Sequence, residues 1–153
     1  METPSFTFRL ERVRTLRERA EERAREALSA ELRNRAEGEA HLRAATEAVG
    51  AAREYGRVAP GERTSVTDLV TAQNFLETAE RRRAEAAIEL ARREAEVNVK
   101  RQELAVAARD RQAIDKLKER RKAEHEAEWA RRSQNMLDEL ALAVHRRGGP
   151  VAA

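Results

Sequence analysis

Residues Leu69–Ile114 read LVTAQNFLETAERRRAEAAIELARREAEVNVKRQELAVAARDRQAI. Leu69, Leu76, Leu90, Val97 and Leu104 fall on one seven-residue lattice, with Arg83 in the remaining place. Three positions further along each repeat come Ala72, Ala79, Ala86, Ala107 and Ile114, interrupted by Arg93 and Lys100. Apolar residues alternately three and four apart share one stripe of an α-helix, and a strict seven-residue repeat winds such helices into a left-handed supercoil. A helix of this kind does not stand alone, because most of its stability comes from burying the stripe. The stretch therefore predicts a long helix and demands a second one to cover it.

The cover is found upstream. Leu10, Val13, Leu16, Ala20, Ala24 and Ala27 recur at helical spacing, and Leu42, Ala45, Val49 and Ala52 resume it. Thr7 reads as the cap that starts this helix. Gly38 and Gly50 lie inside it, and an interior Gly costs about 1 kcal/mol relative to Ala. Pro60-Gly61 breaks the chain, and Ser65 followed by Asp68 resembles a capping box that opens the second helix. The expected architecture is all-α, one antiparallel coiled-coil hairpin spanning residues 1–153. Its parts are a helix over 7–56, a turn over 57–64, a longer helix over 65–147, and a disordered tail over 148–153 behind Gly148-Gly149-Pro150. Folded back from the turn, the first helix covers the second to near Ile114. The remainder overhangs, beginning with IDKLKERRKAEHEAEWARR, Ile114–Arg132.

Composition supports helix over compact globule. Charged residues make up 39% and aromatics 3%, so large core anchors are nearly absent. Disorder is the competing reading of such a composition, and the periodicity decides against it. Opposite charges sit four apart with the acid first, at Glu21–Arg25, Glu31–Arg35, Glu39–Arg43, Glu77–Arg81, Glu89–Arg93, Glu96–Lys100 and Glu128–Arg132. Each contributes about 0.2–0.5 kcal/mol to an exposed helix. The formal net charge of +3 is balanced locally, which argues against the segregated patch of a nucleic-acid binder. With no Cys, disulfides, thiol chemistry and Cys-based zinc sites are excluded. METPSFTFR lacks the apolar run of a secretory signal, and Leu140–Val144 is too short to span a bilayer, so a cytoplasmic protein is expected.

No motif carries an enzyme's chemistry. His125-Glu126 begins like the zinc-protease pattern, but Trp129 stands where the second His is needed. His41, His125 and His145 are scattered, and no Gly-rich loop precedes a helix to cradle phosphate. The expectation is a non-enzyme with no cofactor, no metal and no small-molecule substrate.

Two segments resemble the FliJ family of bacterial flagellar export proteins. FTFRLERVRTLRERAEE (Phe6–Glu22) is similar to the family's opening pattern of paired Phe, Leu, an apolar residue and Leu-Arg before a Glu-rich run. ARDRQAIDKLKERRKAEHEAEWARRSQNMLDELA (Ala108–Ala141) is similar to its closing pattern, an acid-Lys-Leu-Lys-Glu core with a later Leu-Asp-Glu. The resemblance implies an antiparallel coiled coil similar to the central stalk of rotary ATP synthases. Such proteins insert into the hexameric flagellar export ATPase, promote its assembly and activity, and contact the cytoplasmic ring of the export gate membrane protein. Some bind export chaperones. The implied location is the cytoplasmic face of the inner membrane. Carried onto this sequence, the gate contact near the hairpin tip falls on Tyr55 and Phe75, with Leu42 and Leu76 as candidates that also fit the seam. The basic end is expected to face the ATPase through Arg9, Arg12, Arg14, Lys116, Lys118, Arg120 and Arg121, with Trp129 as an aromatic anchor. The stalk of a virulence-type secretion system and a generic coiled-coil scaffold are the alternatives that the sequence leaves open.

Overall fold

The computed structural model describes residues 4–57 and 63–147. Pro60-Gly61, most of the expected turn and the expected tail over 148–153 lie outside the described residues. Among these the chain is all-α and has no strand. Two long helices, α1 (Glu11–Tyr55) and α2 (Val66–Arg147), pack against each other. The chain divides into two compact units. One combines the two ends of the chain, up to Ala20 and from Ala108, and the other is Glu21–Ala107.

In Glu21–Ala107 the helices run antiparallel, since Tyr55 meets Phe75, Arg53 meets Glu80 and Glu37 meets Arg93. Val49, Ala52 and Ala79 form a small core with Leu76 packed on it, and Val97 is 1% exposed. The seven-residue lattice of α2 is realised. Ala72, Leu76, Ala79, Ala86, Leu90, Val97, Leu104 and Ala107 are all at least half-buried. Arg93 and Lys100, the interruptions, lie in the same seam and are half-buried too. The Arg93 guanidinium donates from Nη1 to the Asn34 carbonyl at 2.6 Å and from Nε to Glu89 at 3.0 Å. The arginine thus packs its stem in the seam and carries its charge to the rim.

Gly38 makes room for that stem. A Cβ there would lie 3.0 Å from Arg93 Cδ and 3.3 Å from Leu90 Cδ1. Gly50 has nothing within 4 Å of the same position. The two glycines therefore differ in kind. Gly50→Ala is expected to stabilise the helix by about 0.5–1 kcal/mol. Gly38→Leu is expected to destabilise by about 1–3 kcal/mol through overpacking. Thermal melts followed at 222 nm check the opposite signs.

Three expected seam residues face solvent. Leu10 is 38% exposed, Leu16 60% and Leu69 48%. For Leu69 the cause is register. Gly56 sits beside Ala72, whose Cβ would lie 3.6 Å from a Cβ added at Gly56, and Tyr55 sits beside Phe75. The first turns of α2 therefore run past the end of α1, and Leu69 has no helix opposite it. Leu16 gives way to Val13, Arg14 and Ala20, which are half-buried on the inner face.

The helix starts follow local hydrogen bonding. The Ser65 amide donates to the Asp68 carboxylate at 3.2 Å and the Thr67 amide to the Ser65 hydroxyl at 3.1 Å, which completes the capping box. Thr7, in contrast, caps nothing. α1 starts at Glu11, whose amide donates to the Phe8 carbonyl at 3.2 Å, and the residues before it are not helical.

That non-helical segment shapes the other unit. Phe6 lies against the His125 ring at 5.7 Å, and the Lys118 ammonium sits 6.0 Å from the centre of the Phe8 ring. Glu11 pairs with Lys118, Arg14 with Asp115 and Arg17 with Asp110. Contacts on α2 therefore reach His125, beyond the expected cover to near Ile114, through the non-helical residues that precede α1. Extended chain spans about 3.3 Å per residue against 1.5 Å in a helix, so a few non-helical residues reach far along α2. Beyond Glu128, only Trp129 and Ser133 are half-buried among the described residues of α2.

Of the expected pairs along one helix, Glu21–Arg25, Glu89–Arg93 and Glu128–Arg132 close. Arg35 turns instead to Glu39 and Lys100 to Glu103. Glu39–Arg43 and Glu77–Arg81 form no bridge among the described residues.

Candidate functional site

The unit built from the chain ends carries the cationic candidates, and the structure sorts them into two groups. Arg14 is engaged on every side: Nε meets Asp115 at 2.7 Å, Nη1 meets Glu11 at 3.2 Å and Nη2 meets Glu18 at 2.7 Å. Lys118 donates to Glu11 at 2.8 Å, and Arg120 and Arg121 share Glu124. Arg14 and Lys118 are thereby neutralised within the chain, whereas Arg120 and Arg121, exposed and with one carboxylate between them, are only partly so. Arg9, Arg12 and Lys116 are exposed and enter no ion pair with a described residue. Trp129 is half-buried on α2.

The pairing shows in the titration of its members. The hydrogen bond from Lys118 holds the Glu11 carboxyl below its ordinary range, and that from Arg14 does the same for Asp115. The same Asp115 contact pushes the Arg14 guanidinium up. In the other unit Arg92, and then Arg93, lower Glu89 to about 2. A carboxylate whose folded value lies below its unfolded one adds stability above the unfolded value and loses it as pH falls through the folded one. The melting temperature should hold from neutrality to about pH 5 and then fall toward pH 2. Asp115→Asn combined with Glu89→Gln should flatten that fall. An unchanged slope in melts recorded from pH 6 to 2 would remove these carboxylates from the account.

A shallow cleft opens where the amino-terminal segment meets α2, lined by Phe6, Phe8, Leu10, Leu117, Arg121 and His125. Sequence reasoning treated Phe6 and Phe8 only as a pattern and His125 only as a failed metal ligand. Among the described residues no cluster of His, Asp and Glu is arranged to hold a metal.

The other unit carries the apolar candidates. Tyr55 and Phe75 meet edge to face with ring centres 5.9 Å apart. They are 65% and 48% exposed, so the pair stands in solvent rather than plugging a core. Leu76 packs on the small core, and Leu42 lies in a groove with Leu90. Val66, Leu69 and Val70 add exposed apolar surface on the turns of α2 that precede Phe75. Sequence reasoning missed Val66 and Val70, because the register that uncovers them is not written in the heptad.

A family model described as Flagellar FliJ protein matches residues 6–150, nearly the whole chain. The chain belongs to the FliJ family. No curated protein and no solved structure matches it. FliJ membership makes the chain a component of flagellar protein export that acts through protein–protein contacts, in a family whose role is not catalytic. Among the described residues of this FliJ chain, the Tyr55–Phe75 pair and the cations Arg9, Arg12 and Lys116 are exposed. No helix among the described residues is long and apolar enough to cross a membrane.

Proposed function

We propose that this FliJ-family chain is a stalk that binds and stimulates the hexameric export ATPase and links it to the membrane export gate, with export chaperones as further partners. It works at the cytoplasmic face of the inner membrane. The observation that carries the reading is the division among its cations. Arg14 and Lys118 are held by Asp115 and Glu11 and fix the packing, while Arg9, Arg12 and Lys116 are left for a partner. Exposed ion pairs contribute only about 0–1 kcal/mol each, so contacts made this way are weak and exchangeable, as equivalent ring subunits require. Arg120, Arg121 and Trp129 lie on the same stretch of α2 and extend that surface. The test is addition of the purified chain to the co-encoded export ATPase. The expected result is a concentration-dependent rise in ATP hydrolysis, and an unchanged rate would remove the ATPase from the reading.

The gate contact is assigned to Tyr55 and Phe75, with Leu76 beside Phe75 on the small core and Leu42 further along α1 as weaker candidates. Aromatic side chains dominate binding energy where they can be desolvated. Replacing both Tyr55 and Phe75 by Ala should weaken binding to the gate's cytoplasmic domain by at least about tenfold. The melting temperature should change little, because neither ring is buried. Isothermal titration alongside a thermal melt separates loss of contact from loss of fold.

A further inference from the structure

Past Ser133 the helix α2 continues to Arg147, and all its residues there are exposed in the single chain. Leu137 is 55% exposed, Leu140 53%, Val144 71% and Met136 42%. Glu126, Ala130, Ser133, Leu137, Leu140, Val144 and Arg147 follow one another at steps of three and four, so they share a stripe. The stripe begins one residue after His125, on which Phe6 packs, and turns away from that covered side, since Glu126 and Ala130 are exposed. Its pattern is directional: an acid at one end, leucines in the middle, a cation at the other end.

We propose that this stripe pairs with the same stripe of a second copy of the chain, antiparallel. In that arrangement Leu137 meets Leu140 of the other copy in two central layers, and Val144 meets the small Ser133 on either side. Arg147 then enters between Ala130 and Glu126 of the other copy at both ends, where opposite charges meet. A parallel arrangement would place Arg147 on Arg147 and Glu126 on Glu126, and like charges at such sites select against it. The flanking positions, Gln134, Met136, Ala141 and Ala143, carry no charge, so no unpaired ion is buried. Asp138, Glu139 and Arg146 lie on the outer side. The paired length is about 25 Å at 1.5 Å per residue, which places the buried area at the low end for specific interfaces. The association is therefore reversible and concentration-dependent. This goes beyond the stalk reading and does not depend on it.

The absence of Cys in the chain makes the test direct. Full-length Leu137→Cys and Leu140→Cys variants, mixed and mildly oxidised, should cross-link at least about tenfold faster than either variant alone. Cross-linking of each variant alone at the mixed rate means a parallel pair and overturns the proposal. Sedimentation equilibrium gives a second reading. Ser133→Leu should tighten the dimer by about tenfold or more, since it fills the two small layers. Leu140→Glu should abolish it. All these positions are at least partly exposed in the single chain, so helicity should be preserved throughout. A chain that remains monomeric at about 1 mM, with Ser133→Leu no different, overturns the proposal. So does co-sedimentation of the monomer with anionic phospholipid vesicles through the same leucines, which would assign the stripe to a bilayer.

Discussion

Val97→Asp is expected to abolish the packing of the two helices within Glu21–Ala107. Val97 is 1% exposed and is the largest fully buried side chain among the described residues. An unpaired carboxylate in such a place costs several kcal/mol, and the total stability of a small domain is about 5–15 kcal/mol. This core is smaller than most, being built from Val49, Ala52, Ala79 and Val97, so little is available to absorb the loss. Val97→Ala removes only volume and should cost about 1–3 kcal/mol. Val99→Asp is the control, because Val99 lies on the same helix and is 47% exposed. Melts at 222 nm should show Val97→Asp without a cooperative transition and Val99→Asp close to the parent. If the two variants melted together, Val97 would not be a core residue.

The second large effect concerns the surface proposed for the ATPase. Reversing Arg9, Arg12 and Lys116 to Glu should reduce stimulation of the export ATPase by at least about tenfold. Each exposed cation contributes little alone, but reversal replaces an attraction with a repulsion at three points together. The chain's own fold should be unaffected, because none of the three pairs with a described residue. Arg14→Gln reads out the contrary case. It removes one partner each from Asp115, Glu11 and Glu18, so it should lower the melting temperature first and stimulation only as a consequence. If the triple reversal left stimulation intact while Arg14→Gln abolished it at full helicity, the partner contact would belong to the paired cations.

Helix content and the α2 seam were legible because one regularity, the seven-residue lattice, determines both, and the second helix's greater length followed from where the Pro and Gly breakers fall. The seam of α1 was less legible. Glu21 and Gly38 are among its buried residues, and neither announces itself as core. Leu16 satisfies the spacing rule and yet points outward, since spacing alone does not choose between neighbouring stripes. The offset that sets Tyr55 against Phe75 depends on how the connection is routed, which no periodicity encodes. The site divided in the same way. The cations at the chain ends were visible in the sequence. Which of them are occupied was not, because Arg14–Asp115 and Glu11–Lys118 join residues that only the pairing of helices brings together.

An alanine-rich seam has little to tell one repeat from the next. Sliding one helix by a heptad replaces Ala with Ala at several layers, so packing alone distinguishes such alignments weakly. The Gly38 notch holding the Arg93 stem occurs once, and so does the charge pattern Glu11–Arg14–Arg17 facing Lys118–Asp115–Asp110. Each acts as a key that fits a single lock and fails when shifted. The polar and small residues that weaken the seam as a core thereby give it an address, and the marginal interior tolerates its own uniformity because these few positions cannot be mistaken for any other.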